Sequence, residues 1–212
     1  MEKIDYRFID KCKRYLFFKR VLDIIVSSVG IIVSLPITIL VIIAIKIEDG
    51  GPVFYSQKRI GKGKTEFLIF KFRSMIIDAD KVKENLMGQN EIDGAMFKMA
   101  EDPRITKVGR FIRKHSIDEI PQLLNVLIGD MSIVGPRPPL PEEVENYTEH
   151  DLKRLCVKPG CTGLWQVSGR NSLNFDEMVN LDMTYIKNAS MFLDLKICFK
   201  TILIMIWPND AY

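Results

Sequence analysis

Cysteine and histidine are scarce in this chain, and neither stands in a metal-binding arrangement. The 212 residues hold four cysteines, Cys12, Cys156, Cys161 and Cys198, and two histidines. No two cysteines have the C-x-x-C spacing, which argues against a zinc site, and four thiols spread over this length do not make a disulfide framework. Reduced thiols in a cytoplasmic setting are expected. A strong charge of one sign is also missing. The 30 Lys and Arg against 27 Asp and Glu leave a net charge of +3, too little to argue for nucleic acid as a partner. Nucleotide loops are absent as well. The stretch "GKGKT" invites a P-loop reading, but Lys58 stands where the motif's first glycine belongs. Glu66 likewise occupies the last glycine position of a G-x-G-x-x-G. A secretory signal is not expected, because the apolar run is longer than a signal core and lacks a small-residue cleavage site.

What is present is unevenly distributed. The apolar share, 47%, is ordinary for a soluble protein. Yet Ile24 to Ile45 is 22 residues without a charge, and the first twenty residues hold seven Lys or Arg against three acids. Basic residues beside an apolar segment read as contacts with a membrane surface. As a helix the run measures about 33 Å, enough to cross a hydrocarbon core of about 30 Å. Length alone favours one spanning helix. Against it, Pro36 lies past the middle, where it removes a helical hydrogen bond and favours a kink, and Ser34 can bond a freed carbonyl nearby. Both flanks are also basic: Lys11, Lys13, Arg14, Lys19 and Arg20 before, and Lys46, Lys58, Arg59, Lys62 and Lys64 after. The positive-inside rule places both flanks in the cytoplasm, which a bent helix entering and leaving by one face satisfies. On these grounds both topologies stay open.

Beyond the apolar run, residues 50–75 read as two short strands joined by a glycine-lysine turn. Leu68, Phe70 and Phe72 fall on one face of the second strand; Lys71 and Arg73 fall on the other, at a spacing suited to a polyanion. Residues 76–101 are polar and methionine-rich, a helix and loop without evident chemistry. In "DPRITKVGRFIRKHS", Ile105, Val108, Phe111 and Ile112 share one helical face, and Arg104, Lys107, Arg110, Arg113 and Lys114 fall mainly on the other. Such a basic amphipathic helix suits a headgroup layer or a phosphate-rich ligand, or is an ordinary solvated helix. Adjacent acids follow in "HSIDEIPQLL". Ile120, Leu123, Leu124, Leu127 and Ile128 keep the spacing of a core-facing helix, and Gly129 is a natural stop. Pro121 is tolerated only in the first turn, so the helix is expected to begin at Asp118 or Glu119, with a Ser116 cap as the alternative. Either start puts both carboxylates at a helix N-terminus, which favours their ionised form. Their directions differ by about 100°, so the two acids divide roles rather than face each other. An N-cap is the plain reading of Asp118. Further on, Arg137 stands between two prolines that limit its freedom, as bidentate phosphate binding prefers, or simply in a proline-rich linker. A turn-rich loop carries Lys158, Trp165 and Arg170. The last apolar segment is too short after its final lysine to span a bilayer, and either packs on the core or lies in the interface.

Taken in order, "GPVFYSQKRIG", "FKFRSM", "DPRITKVGRFIRK", "SIDEIPQLLNVLIGDMSIVGPRP", "KPGCTGLWQVSGR" and "LDLKICFKT" resemble the bacterial sugar transferases, monotopic phosphoglycosyl transferases acting on polyprenyl phosphate. The resemblance runs over nearly the whole chain. It implies transfer of a sugar 1-phosphate from a UDP-sugar to undecaprenyl phosphate with release of UMP. It implies Mg²⁺, a covalent phosphosugar on Asp118, and Glu119 as a metal ligand. Lys71, Arg73, Arg110, Arg113 and Arg137 are the candidates for holding substrate phosphate. It also implies a re-entrant helix broken at Pro36, although Leu35 stands where the family often has serine and Ser34 lies one place earlier. The expected fold is α+β and mostly helical. Residues 1–48 form a basic N-terminus and re-entrant membrane helix, and residues 49–212 a compact cytoplasmic catalytic domain with a small β-hairpin and amphipathic interfacial helices. The expected location is the bacterial inner membrane, cytoplasmic face. Two other classes remain: a single-step transferase that binds both substrates together, and a membrane-anchored scaffold that holds anionic lipid. No residue decides the sugar, and a homo-oligomer stays open. His115 acquires no role.

Overall fold

The computed structural model of the chain describes residues 13–79, 81–82, 99, 102–169 and 173–207. Lys11, Cys12, Arg170, most of the methionine-rich stretch and the terminal segment 208–212 lie outside the described residues. In chain order the elements are α1 (Lys13–Asp49), β1 (Phe54–Ile60), β2 (Glu66–Phe72), α2 (Lys107–Lys114), α3 (Gln122–Ile128), β3 (Ser132–Val134), α4 (Pro141–Glu145), α5 (Glu149–Leu152), β4 (Gly160–Thr162), α6 (Phe175–Asn188) and α7 (Met191–Ile206). The fold is mostly helical, with little sheet. β1 and β2 form the expected antiparallel hairpin, Phe54 opposite Phe72 and Ile60 opposite Glu66. A second pair, β3 beside β4 in parallel, has no signal in the sequence reading. It depends on two glycines: a Cβ on Gly160 would come within 2.1 Å of Gly135 N, a crossing only hydrogen permits.

Two apolar clusters organise the body. Ile69, Val126, Met131, Ile133, Val134, Tyr185 and Ile197 make one; Val41, Ile45, Phe72, Ile112 and Ile117 make the other. β2 serves both, through Ile69 and Phe72, and the expected apolar face holds only in part because Leu68 is exposed. The chain from Ile117 to Val126 is likewise anchored in one cluster at its start and in the other at its end. Arg104 departs from the expected basic face: it precedes α2 and is buried, 2.6 Å from Asp102.

α1 is 37 residues long and helical through Pro36. Ser34 Oγ donates to Ile31 O at 3.1 Å, one residue from the Ile32 carbonyl that Pro36 leaves without its helical donor. Polar groups fasten both ends of α1 to the same body. Near its start, Lys19 Nζ and Tyr15 OH reach Asp194 Oδ2 at 2.8 and 2.9 Å, and Arg20 donates to Val126 O and Leu127 O at the C-terminus of α3. The buried Asp23 Oδ1 accepts from Ser132 Oγ and Ile133 N, both at 2.9 Å. At the far end, Glu48 accepts from the Lys107 and Val108 amides that open α2, and Asp49 pairs with Arg73. The middle of α1 is left bare, with Ile32, Val33 and Leu40 exposed.

The expected apolar face of α3 holds only at Ile120 and Leu123, which pack against the two clusters, and is reversed beyond them. Gln122, Asn125 and Val126 are buried, whereas Leu124, Leu127 and Ile128 are exposed, Ile128 by 67%. Asn125 makes the reversal possible. Its Nδ2 donates to Leu68 O at 2.7 Å and its Oδ1 accepts from Phe70 N at 3.0 Å, so a buried amide completes the edge of β2. α7 follows the same pattern: Asp194 and Ile197 face inward, while Phe192, Leu195, Phe199, Ile206 and Trp207 are exposed. Large apolar patches of this kind mark a surface made for something other than water. Replacing Asn125 with leucine leaves the Leu68 carbonyl and Phe70 amide buried without partners, a loss of about 2–4 kcal/mol at about 1–3 per group. Thermal unfolding in detergent should show a clear drop in midpoint; an unchanged midpoint would refute the role given to this side chain.

Candidate active site

The adjacent acids stand on a single 3₁₀ turn, Ile117–Glu119, one turn ahead of the α-helix proper. Pro121 occupies the N-cap position of α3 and the helix begins at Gln122, later than expected. Ser116 does not cap; it takes a left-handed conformation, φ +54, that an L-residue adopts at a cost of about 1–2 kcal/mol. That bend separates α2 from the acidic turn and points the two carboxylates into a cavity of about 710 Å³. At three residues per turn their directions differ by about 120°. Asp118 is 7% exposed. The Glu119 side chain is 40% exposed, and its Oε1 lies 2.8 Å from Lys71 Nζ.

Distant segments supply the cations of this cavity: Lys71 from β2, Arg113 from α2, Arg137 from the loop after β3, and Arg59 from β1. Arg59 is the residue the sequence reading missed as a site residue, having placed it among the basic flanks. Its period-2 neighbour Gln57 is the only local hint, and Nη2 donates to Gln57 Oε1 at 2.8 Å. Glu143, buried, accepts from Leu140 N at 2.9 Å and lies 3.5 Å from Arg137 Nη1, steadying that guanidinium from behind. Gln122 was also unforeseen; it is buried and hydrogen-bonds Glu119. Two of the expected phosphate ligands are elsewhere. Arg73 is bound to Asp49 and Pro52 O, holding the end of α1, because it falls just past β2. Arg110 is exposed on the outer side of α2 and does not line the cavity. Trp165 lines the cavity, whereas Lys158 does not. Ser34 and Pro36 lie away from it in α1.

Burial pushes the Asp118 carboxyl up to about 6; Lys71 opposes the rise, the Glu119 charge adds to it, and Arg113 opposes it. The expectation that a helix end keeps Asp118 strongly ionised is thus corrected, since loss of water outweighs the dipole. Burial also works upward on Glu119. There Lys71, Arg137 and the Gln122 hydrogen bond outweigh it and hold the carboxyl below its ordinary range. Burial and the like charge of Arg137 bring the Arg59 guanidinium to about 10, still cationic at neutral pH. Environments that push neighbouring titratable groups apart are typical of catalytic pairs.

No group of three or more His, Cys, Asp or Glu among the described residues is placed to hold a metal ion. Mg²⁺ is nevertheless compatible with this donor set. It takes one or two carboxylates and completes its shell with water and substrate phosphate, and Glu119 offers a hard, cavity-facing carboxylate. Apolar residues line the cavity too: Val26 from α1, Leu123 from α3, and Ile202 and Met205 from α7.

The family model described as bacterial sugar transferase matches residues 14–208. The chain belongs to this family. It is 47% identical over 198 residues to a galactosyl transferase CpsE of Streptococcus agalactiae, covering 93% of this chain and 44% of that protein. It is 44% identical over 200 residues to an undecaprenyl-phosphate galactose phosphotransferase of Salmonella typhimurium, covering 92% of this chain and 42% of that one. With the exopolysaccharide production protein ExoY of Rhizobium meliloti the identity is 43%, covering 92% of this chain and 88% of ExoY. The chain therefore spans less than half the length of the first two relatives and most of the third. Within this bacterial sugar transferase, Lys71 is the cation that bears most on both acids. Lys71→Met should raise the titration midpoints of Asp118 and Glu119 together. Carboxyl ¹³C NMR of the labelled protein reads both; a Glu119 curve that stays in place would contradict the ion pair.

Proposed function

We propose that this chain transfers a sugar 1-phosphate from a UDP-sugar to undecaprenyl phosphate, releasing UMP, and so begins assembly of a bacterial exopolysaccharide, capsule, O-antigen or glycoconjugate. The observation that carries this reading is the make-up of one cavity. A buried carboxylate of raised pKa faces four cations on one side and apolar residues of two externally apolar helices on the other. A diphosphate suits the first wall and a polyprenyl chain the second. The relatives' names support both substrates: one acts on undecaprenyl phosphate with galactose, and another is a UDP-galactose-lipid carrier transferase.

In this reading the Asp118 carboxylate attacks the β-phosphorus of the UDP-sugar. A new Asp118 O–P bond forms as the bond from that phosphorus to the bridging oxygen breaks, and UMP leaves with the electron pair. A phosphate oxygen of the lipid then attacks the same phosphorus, the Asp118 O–P bond breaks, and the carboxylate is regenerated. Lys71, Arg59, Arg113 and Arg137 offset the repulsion between carboxylate and diphosphate. Glu119 would hold Mg²⁺, and a bound cation would supply neutralising charge to the diphosphate. The protein sits on the cytoplasmic face of the inner membrane, with α1 re-entrant. Attachment of both ends of α1 to one body, by Arg20 and Asp23 at one end and by Glu48 and Asp49 at the other, supports that topology.

Asp118→Asn should abolish both turnover and the radiolabelled adduct formed with UDP-sugar; an undiminished adduct excludes Asp118 as nucleophile. Double-reciprocal plots should be parallel, whereas intersecting lines mean single-step transfer. Because Asp118 reacts ionised and its folded pKa is raised, activity is full above that value and lost as pH falls through it. The rate at low UDP-sugar should decline roughly tenfold per pH unit below about 6. Glu119→Gln should shift the Mg²⁺ titration of activity to higher concentration, and an unmoved curve would remove Glu119 from the metal site.

A further inference from the structure

Arg59 is held in the cavity wall without a counter-ion. It is 8% exposed, and no carboxylate among the described residues lies within ion-pair distance of it. Two contacts fix its plane: Nη1 donates to Pro138 O at 3.1 Å and Nη2 to Gln57 Oε1 at 2.8 Å. Both acceptors are neutral. A guanidinium carries five N–H donors, and Nε is sealed from solvent with no partner among the described residues. The charged group that bears on it most is another cation, Arg137, while Glu143 and Glu119 soften that repulsion from further off. A buried guanidinium that feels a second one across the same cavity is unfavourable unless an anion completes the set. The two carboxylates that bear on Arg59 are already engaged, Glu119 by Lys71 and Glu143 by Leu140 N and Arg137.

We propose that Arg59 binds a phosphate oxygen of the donor's diphosphate, side by side with Arg137, and sets affinity for the nucleotide sugar rather than for the lipid acceptor. This rests on the diphosphate reading given above and adds to it a residue and a division of labour. Arg59 is preorganised for phosphate binding, because β1 fixes its stem and the Pro138 carbonyl its orientation, so little freedom is lost when the anion arrives. The plain alternative is a prop. Arg59 and the neighbouring Ile60 N, which donates to Pro139 O at 3.0 Å, both brace the loop that presents Arg137.

The test measures Arg59→Gln and Arg59→Lys in the full-length enzyme: KM for the UDP-sugar, KM for undecaprenyl phosphate, kcat, inhibition by inorganic pyrophosphate, and Tm. Loss of a charge-assisted hydrogen bond should raise the donor KM and the pyrophosphate inhibition constant of Arg59→Gln by about 10-fold or more. The lipid KM should stay unchanged and Arg59→Lys should recover part of both losses. A fall in kcat with pyrophosphate inhibition unchanged overturns the proposal and leaves Arg59 as a prop. Should Arg59→Gln fail to fold, Arg59→Lys decides: weaker pyrophosphate inhibition at unchanged Tm supports the proposal, and wild-type inhibition overturns it. If pyrophosphate and UDP both fail to inhibit the wild type, the diphosphate reading itself falls, and the assignment of Arg59 with it.

Discussion

Like-charge repulsion is the constraint around which this molecule is arranged. Two carboxylates side by side on one turn repel each other, and the proposed substrate adds a diphosphate to the same space. Inside a protein such repulsion is screened less than in bulk water. Cations must therefore be fixed nearby, and no single element has room for them all. The hairpin contributes Arg59 and Lys71, α2 contributes Arg113, and the loop after β3 contributes Arg137. Two of these are held by groups other than the adjacent acids. Arg59 is gripped by Pro138 O, and Arg137 is steadied by Glu143. The glycine crossing of Gly135 and Gly160 brings the Arg137 loop against β4. The two apolar clusters fix the relative positions of these segments, so packing energy is what holds the electrostatic pattern in place.

The second governing feature is the reversal of inside and outside. Where a soluble protein buries leucine and exposes asparagine, α3 buries Asn125 and exposes Leu127 and Ile128. The same holds for α7 around Asp194, whose carboxylate gathers Tyr15, Lys19 and Tyr185. Polar groups inside and hydrocarbon outside is the arrangement expected when the surrounding medium is apolar. It also explains how one cavity can be lined by arginine at one wall and by Ile202 and Met205 at another.

Much of this was legible in the sequence, for physical reasons. The charge-free run, the hairpin punctuated by Gly61 and Gly63, the stop at Gly129, and the joining of Lys71, Arg113 and Arg137 to the acids follow from period, turn chemistry and residue type. The misreadings share one cause. Periodicity reports which residues share a face and is silent about what that face meets, so Leu124, Leu127 and Ile128 were assigned to a core that only Ile120 and Leu123 of the set pack against. Arg73 and Arg110 lie away from the cavity; spacing says nothing of a strand ending at Phe72 or of which side of α2 is turned outward. Arg59 was missed because a cation in a basic stretch looks like surface until the loop beyond β3 is folded over it. The titration of Asp118 was misjudged because burial there depends on packing that no local pattern encodes.

The stitching of α1 has a practical consequence for anyone who would trim this protein to a water-soluble fragment. Deleting an apolar leader is the usual first step toward a manageable sample, but here it would strip the Ser132 hydroxyl and Ile133 amide of their acceptor, the α3 carbonyls of Arg20, and the first amides of α2 of Glu48. It would also take Val41 and Ile45 out of the cluster that holds Ile117, next to Asp118. The long apolar helix and the acidic cavity share one body, so solubility must come from detergent, nanodiscs or redesigned outer faces rather than from truncation.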